Sequence, residues 1–144
     1  MKLRSAMATD IDWIVELRAR VLRDDLERLG RFDPVRVRQR MRDGFRPEHT
    51  QIIVVDDAEV GSICVRQELD ARWIEHFYLA PEVQNRGIGT SVLALVLAER
   101  DPRPHRLNVL QGSSARRLYE RHGFTVDSED DVDVWMTRRS IGEA

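Results

Sequence analysis

Hydrophobic and polar positions repeat along the chain with two different periods, which divide it into predicted helices and strands. Apolar residues three or four apart predict amphipathic helices, whereas short apolar or alternating runs predict strands. The predicted elements are a strand at 2–6, a helix beginning at Thr9, a helix from Pro34 to about Asp43, strands at 51–55, 60–66 and 73–79, a helix at 87–100, a strand at 106–110, a helix from Ser113 or Ser114 to Gly123, and strands at 124–128 and 132–137. Together they predict an α/β protein with a sheet of about six or seven strands.

Capping residues mark the ends of the first two predicted helices. Thr9 starts a helical pattern and Asp12 follows three residues later, which predicts a variant of the capping box. Asp33 before Pro34 predicts an N-cap with proline at the first helical position, and Gly44 ends that helix.

Two segments have patterns that predict which side chains are buried. The strand 73–79 alternates, so one face is expected to carry Trp73, Glu75, Phe77 and Leu79, and the other Ile74, His76 and Tyr78. Glu75 and His76 would then point to opposite faces of the sheet. The helix 87–100 is apolar on almost all sides, which is typical of a helix buried all round.

Composition limits the class of protein. The 144 residues are 42% hydrophobic and 33% charged, which is typical of one soluble globular domain, here residues 1–144. The longest apolar run, 92–98, is too short to cross a bilayer, and the N-terminus lacks a signal-peptide core. Cys64 is the only cysteine, so we expect a reducing cytoplasm, no disulfide and no metal site. Lys2 is the only lysine among 23 Lys and Arg residues, a skew that indicates a GC-rich, bacterial genome.

The charge pattern does not predict a nucleic-acid partner. The net charge is −2, which neither requires nor excludes one. Arg36, Arg38, Arg40 and Arg42 recur every two residues on a predicted helix, so they spread around its surface, and they are interpreted as a solvated face. The alternative is a rim that attracts an acidic acceptor or nucleic acid. The interleaved aromatic residues typical of nucleic-acid binding are missing.

The segment 79–90 carries the strongest chemical signal. A strand ends, a polar loop follows, and Gly87 and Gly89 open a buried helix. The free N–H groups of residues Arg86 to Thr90 would form an anion site at the helix N-terminus, supported by the helix dipole and by the Arg86 side chain. A phosphate or pyrophosphate is the expected ligand.

Three interpretations of these glycines compete. A dinucleotide-binding Rossmann fingerprint needs a third small residue where Val92 stands. A P-loop needs Gly-Lys-Ser/Thr, and the only lysine is Lys2. The third interpretation is an ordinary helix start that contains two glycines.

Two blocks resemble the GCN5-related N-acetyltransferase (GNAT) superfamily. Gln84-x-x-Gly87-x-Gly89 is similar to the family's Q/R-x-x-G-x-G/A signature, and residues 78–82, Tyr-Leu-Ala-Pro-Glu, resemble the strand end before it. Residues 115–124, Ala-Arg-Arg-Leu-Tyr-Glu-Arg-His-Gly-Phe, resemble the family's A-x-x-L-Y-E-K-x-G-F block. The element order resembles the family over roughly residues 2–138. Gly112 departs from it, because the family often has asparagine there, and Gln111 or Ser113 could replace that contact.

The resemblance implies a single-domain fold with a mixed, mostly antiparallel sheet flanked by about four helices, and acetyl-CoA as co-substrate. The pyrophosphate would lie on the loop amides. The pantetheine arm would pair with the backbone of Phe77 to Leu79, where the strand 73–79 splays from the strand 106–110. The implied cofactor-binding residues are Phe77, Tyr78, Leu79, Gln84, Asn85, Arg86, Gly87, Ile88, Gly89, Thr90, Gly112, Ala115 and Tyr119.

The implied reaction is acyl transfer from a thioester to an amine. The amine attacks when neutral, so a base or a water relay must accept its proton, and the departing thiolate needs a donor. Tyr119 matches the family's tyrosine that protonates the thiolate; the alternative is a tyrosine that only packs at the helix–sheet seam. Glu75, acting through water, and His76, which titrates near neutral pH, are the candidate bases.

The predicted function is therefore that of an N-acetyltransferase acting on an amine of a small molecule or protein. An acyl-CoA-binding sensor of the same fold and a nucleotide-phosphate binder of another α/β type are the alternatives. Acidic residues at 127–133 either steer a cationic amine towards the acceptor site or form a solvated turn. No nucleic-acid or membrane partner is expected, and a homodimer, the commonest closed assembly, is the hypothesis for the oligomeric state.

Overall fold

The structure is a computed structural model that describes residues 1–140. Within them, seven strands and four α-helices follow in the predicted order. The strands are β1 (Lys2–Ser5), β2 (Thr50–Val55), β3 (Ala58–Gln67), β4 (Arg72–Leu79), β5 (His105–Leu110), β6 (Thr125–Glu129) and β7 (Asp133–Arg138). The helices are α1 (Ile11–Arg28), α2 (Pro34–Gly44), α3 (Ile88–Leu97) and α4 (Ala115–Arg121). The end of the predicted domain, 141–144, lies outside the described residues.

All seven strands form one mixed sheet in the order β1-β2-β3-β4-β5-β7-β6. Neighbouring strands are antiparallel except β4 and β5, which run parallel. These two strands pair only at their first residues, Arg72 with His105 and Trp73 with Arg106, and then diverge. The predicted fold class is confirmed, and the strands that diverge are those expected to do so.

The start of α2 follows its sequence signal. The Asp33 carboxylate accepts hydrogen bonds from the backbone N–H groups of Val35, at 2.9 Å, and Arg36, at 3.0 Å. These bonds satisfy first-turn donors that have no partner inside the helix, and Pro34 fills the first position, where no N–H is needed.

The start of α1 differs from the predicted one. A 3₁₀ turn at Ala8–Asp10 precedes the helix, and the Asp10 carboxylate, not Asp12, accepts a backbone N–H, that of Met7, at 2.8 Å. Arg4 on β1 also contacts Asp10, at 2.9 Å, and lowers the pKa of Asp10 to about 2. The predicted cap at Thr9 and Asp12 is wrong because this tertiary ion pair fixes the turn two residues earlier.

Each face of the sheet carries its own hydrophobic core. On the face covered by α3 and α4 the buried residues include Ile53, Ile63, Ile74, Val92, Leu93, Leu107, Phe124, Val134 and Met136. On the face covered by α1 and α2 they include Ile14, Val15, Met41, Ile52, Val54 and Tyr78. The gap between β4 and β5 therefore lies between two pairs of helices.

Helix α3 buries one face rather than its whole circumference. Val92, Leu93 and Val96 are buried, whereas Leu95 is 53% exposed. The prediction of burial all round is wrong because α3 packs on one side of the sheet and no further layer covers its outer side. No helix within residues 1–140 is long and apolar enough to cross a lipid bilayer.

Candidate active site

The divergence of β4 and β5 opens a cleft of about 1330 Å³. Residues from α1, α2, β4, the β4–α3 loop, β5, α4 and β7 line it. Among the predicted site residues, the cleft is lined by Glu75, His76, Phe77, Tyr78, Leu79, Gln84, Asn85, Gly87, Gly89, Thr90, Ala115 and Tyr119. Arg86, Ile88 and Gly112 do not line it. The structure thus brings most of the predicted site together in one space.

A β-bulge interrupts β4 at the cleft. Cys64 of β3 faces Glu75 and Ser62 faces Tyr78, so one residue of β3 lies opposite two residues of β4. His76, inside the bulge, has a φ of +48°, a conformation uncommon for residues other than glycine. The Ser62 hydroxyl donates a hydrogen bond to the His76 carbonyl oxygen at 2.9 Å. A strained backbone conformation that neighbouring groups hold in place is frequent at functional sites.

The bulge changes which side chains of β4 share a face. Glu75 and Tyr78 face the same side, because their partners on β3 are two residues apart. Nδ1 of His76 lies 3.0 Å from the Tyr78 hydroxyl and so belongs to that side, whereas Phe77 packs against the core under α3. The predicted strict alternation, with Glu75 and His76 on opposite faces, is therefore wrong.

A hydrogen-bonded chain fixes His76 in the cleft wall. Arg18 of α1 donates to the Val37 carbonyl and, through Nε, to the Tyr78 hydroxyl at 3.0 Å. The Tyr78 hydroxyl therefore donates its proton to Nδ1 of His76. The ring proton of the neutral imidazole is then on Nε2, which faces Gly44. Burial and the nearby Arg18 charge lower the pKa of His76 to about 4. The imidazole is neutral at neutral pH and its acceptor nitrogen is occupied.

Glu75 has an unoccupied acceptor. Its Oε1 accepts from Nε of Arg66 at 2.9 Å, and Arg66 also lies over the Trp73 ring, 5.6 Å from its centroid. Within residues 1–140, Oε2 of Glu75 has no hydrogen-bond partner. The carboxylate is held by one oxygen, and the other is available to a ligand or water.

The β4–α3 loop exposes backbone donors at the other end of the cleft. Gln84 ties the loop to β4 by a hydrogen bond from Nε2 to the Leu79 carbonyl at 2.8 Å. Asn85 and Gly87 have φ values of +63° and +78°, and Gly87 is the N-cap of α3 without a side-chain cap. A Cβ at Gly87 would meet no atom within 4 Å. The first-turn amides of α3 therefore face open space, the arrangement that binds anions.

Two arginines of α4 also line the cleft. Arg117 and Arg121, one helical turn apart, line it. Unlike Arg116, which lies 3.6 Å from Glu120, they have no ion-pair partner within residues 1–140. Arg86 was predicted to supply the positive charge at this site, and this pair was not predicted, although the i, i+4 spacing already places both arginines on one helix face.

Tyr119 lies in the cleft with a free hydroxyl. The residue is 7% exposed, and its ring packs edge-on against Phe124 at 5.6 Å between centroids. Burial raises its pKa above the usual value, with no contribution from a hydrogen bond. The phenol is therefore protonated at neutral pH, and its hydroxyl has no protein partner within residues 1–140.

Arg28 occupies the space beside Gly112. Its guanidinium donates to the Gln111 carbonyl at 2.6 Å and to Asp25 at 2.9 Å. A Cβ at Gly112, where φ is +76°, would lie 2.8 Å from that guanidinium. An asparagine at position 112 would have to displace the Arg28 guanidinium, which in this chain lies beside the loop.

Some of the five acidic residues at 127–133 accept hydrogen bonds from the protein. Asp130 accepts two backbone N–H groups of the turn, those of Val132 and Asp133, at 2.9 and 2.7 Å. Glu129 accepts from Gln111 Nε2 at 2.8 Å. Asp131 and Asp133 make no ion pair within residues 1–140, so both interpretations of the acidic hairpin stay open.

The chain is similar to acetyltransferases in sequence and in fold. Residues 47–126, more than half of it, match the family model of the acetyltransferase (GNAT) domain. The fold is similar to that of PaiA N-acetyltransferase from Thermoplasma acidophilum in complex with coenzyme A, with a TM-score of 0.76 at 18% identity, over 96% of this chain and 98% of that one. An N-acetyltransferase from Staphylococcus aureus Mu50 gives a TM-score of 0.73 at 17% identity, over 95% and 99%. No curated protein sequence matches the chain.

Proposed function

Because the chain belongs to the GNAT family of acetyltransferases, we propose that it transfers the acetyl group of acetyl-CoA to an amine by direct attack on the thioester. One observation carries the proposal: the cleft joins the uncapped N-terminus of α3 to the free hydroxyl of Tyr119. An anion site and a proton donor are the two groups that a CoA thioester needs at its opposite ends. The two solved N-acetyltransferases of similar fold support a nitrogen acceptor.

The cleft offers a fitting surface for each part of acetyl-CoA. The amides of Gly87 to Thr90 suit the pyrophosphate, and Arg117 and Arg121 can pair with phosphate oxygens. Beyond Trp73, β4 has no partner strand on its β5 side. Its free backbone groups there can take hydrogen bonds from the amides of an extended pantetheine arm. Bound acetyl-CoA would supply the activated acyl group.

Glu75 is the proposed proton acceptor for the attacking amine. Its free Oε2 can take the proton directly or through one water molecule. His76 is the weaker candidate because its pKa is about 4 and its Nδ1 already accepts from Tyr78. Both side chains remain on the acceptor side of the cleft, so variants at each position can decide between them.

Tyr119 is the proposed donor to the departing sulfur. A phenol with a raised pKa stays protonated, and it stabilises a thiolate by donating a hydrogen bond before the proton moves. Tyr78 cannot take this role, since its proton is directed to His76 and its oxygen accepts from Arg18.

Calorimetry and thiol release together test the proposal. We expect the protein to bind acetyl-CoA, and not NAD or ATP, at micromolar or lower concentration. We also expect it to release CoA thiol faster when a suitable amine from a broad panel is present. Binding without amine-dependent thiol release would support the acyl-CoA sensor instead, and no binding of acetyl-CoA would contradict both.

A further inference from the structure

One end of the cleft, between α1, α2 and β4, is lined by arginines that lack carboxylate partners. We name these four residues the acceptor-end arginines: Arg18, Arg36, Arg40 and Arg46. None of them makes an ion pair with another residue in the part of the chain from 1 to 140. A group of unpaired guanidinium ions around a cleft attracts anions and disfavours cations.

Helix α2 divides its arginines between two faces. Arg38 pairs with Glu16 of α1 at 2.8 Å, and Arg42 lies 3.7 Å from Asp12. Arg36 and Arg40, four residues apart, line the cleft instead. All four side chains are exposed or half-exposed, as a solvated surface requires. Packing against α1 turns two of them towards acids and two towards the cleft.

Two of the five acids that line the cleft are paired with arginines: Asp25 with Arg28, and Glu75 with Arg66. Asp33 and Asp130 accept backbone N–H groups and keep their charges, and Asp133 makes no ion pair within residues 1–140. The four acceptor-end arginines therefore still outnumber the three acids without a cation partner.

Arg18 is held in place before any ligand arrives. Its Nε and Nη1 donate to Tyr78 and to the Val37 carbonyl, while Nη2 has no partner within residues 1–140. The side chain is half-buried and lies beside His76. A guanidinium whose geometry is fixed loses little entropy when it binds a carboxylate or phosphate.

We propose that the acceptor is a small amine that also carries an oxyanion, a carboxylate or a phosphate, bound by Arg18 with support from the other acceptor-end arginines. The inference rests on the proposed acetyl transfer and specifies its substrate class. An acceptor of this class excludes a polyamine or another purely cationic amine, which the acidic hairpin at 127–133 alone would favour.

Matched pairs of amines test the class. The panel consists of the standard amino acids and O-phosphoethanolamine, each paired with the amine that lacks the oxyanion, for example phenylalanine with phenethylamine, together with spermidine. Thiol release is measured as kcat/KM, corrected for the unprotonated fraction of each amine. We expect the best member to carry the oxyanion and to exceed its counterpart by roughly tenfold or more, the usual strength of a charge-assisted hydrogen bond.

Variants assign the preference to the arginines. Arg18→Gln and the double variant Arg36→Gln/Arg40→Gln should reduce kcat/KM for the oxyanion-bearing amine roughly tenfold more than that of its counterpart. A merely structural role would lower both values equally. Arg38→Gln/Arg42→Gln is the matched control, with the same charge change on the same helix but on the face towards α1, and it should keep the preference.

Faster turnover of spermidine or of the amines without the oxyanion would overturn the inference and leave acetyl transfer intact. An equal loss for both members of a pair in the Arg18 and Arg36/Arg40 variants would overturn it as well. If acetyl-CoA binds but no amine accelerates thiol release, or if acetyl-CoA does not bind, the proposed function itself fails and the inference fails with it.

Discussion

At the scale of single residues, two buried tyrosines line the same cleft but have different neighbours. The Tyr78 hydroxyl accepts from Arg18 and donates to His76. The Tyr119 hydroxyl has no protein partner within residues 1–140. Its oxygen is not among the fully enclosed polar atoms without a partner in this part of the chain, so the hydroxyl is accessible from the cleft. Tyr119 is therefore the residue whose hydroxyl is available to a substrate.

Tyr119→Phe tests this difference. Phenylalanine keeps the packing against Phe124 and removes only the donor, so the variant should fold and bind acetyl-CoA normally. Its turnover should fall by roughly 10²-fold, the usual contribution of one positioned proton donor. Steady-state thiol release measures the effect, and a thermal melt is the control. Unimpaired turnover would assign Tyr119 to packing alone.

Glu75→Gln and His76→Gln decide which side chain accepts the proton. Glu75→Gln keeps the shape and removes the charge, so turnover at pH 7 should fall by roughly 10²-fold. Activity should recover towards higher pH, where more of the amine is neutral. His76→Gln should shift the pH profile little, because a base with a pKa of about 4 is weak at neutral pH. The opposite pair of results would assign the proton acceptor to His76.

At the scale of elements, Gly87 determines how closely a ligand can approach the start of α3. Gly87→Asn adds a side chain where the structure has open space, and asparagine tolerates a positive φ better than most residues. Binding of acetyl-CoA should weaken by about tenfold or more, or ~1.4 kcal/mol. Calorimetry on the folded variant provides the measurement.

Gly30→Asn is the matched control for that substitution. Gly30 has a similar φ, +71°, and no atom within 4 Å of the Cβ position, so the backbone cost should be alike. It ends the turn after α1, and its substitution should leave acetyl-CoA affinity unchanged. Equal affinities in the two variants would remove the β4–α3 loop from the phosphate site.

Local sequence signals predicted most of the elements. The Asp33-Pro34 pair fixed the start of α2 because both residues act within one helical turn. The start of α1 was mispredicted because its capping acid is chosen by Arg4, an ion pair made through the fold. The burial of Leu95 was mispredicted because the apolar pattern around a helix does not show how many neighbouring layers cover that helix.

The features of the candidate site also fall into two groups: those that a short sequence motif reveals and those that depend on contacts between distant parts of the chain. The β4–α3 loop and the Tyr119 block lie in contiguous motifs, which one sequence can reveal. The bulge at His76 is invisible in the strand's own alternation, because it depends on the register with β3. Arg18 was also missed. It lies 60 residues from Tyr78 in the chain, and its spacing on α1 resembles that of any surface arginine.

At the scale of the whole molecule, two histidines make stability depend on pH. Burial lowers the pKa of His76 to about 4, and burial with nearby Arg72 does the same for His105. Between pH 4 and 6.5 the unfolded chain binds more protons than the folded one, so the free energy of unfolding falls as pH falls through this window. Each histidine can contribute a slope of up to about 1.4 kcal/mol per pH unit.

His105→Leu should flatten that dependence. His105 is 1% exposed, and neither ring nitrogen has a hydrogen-bond partner among residues 1–140, so leucine removes an unsatisfied polar group along with the titrating proton. Urea unfolding at pH 5 and pH 7 should show a smaller difference in this variant than in the wild type. His49→Leu, in the turn before β2, is the control. A wild-type slope in His105→Leu would mean that His105 takes up no proton on unfolding.

The brief pairing of β4 with β5 also has a mechanical consequence. Only two residue pairs of the described chain join β4 to β5, so the backbone hydrogen bonding is interrupted in the middle of the sheet. We therefore expect the β1–β4 and β5–β7 halves to move relative to each other, held together mainly by the shared core under α3 and α4. Amide protons along the inner edges of β4 and β5 should therefore exchange with deuterium faster than those between β2 and β3. A ligand arm lying in the gap would act as the missing strand, so saturating acetyl-CoA should slow exchange on both edges at once. If all strands were equally protected from exchange and acetyl-CoA changed nothing, the sheet would be one rigid unit.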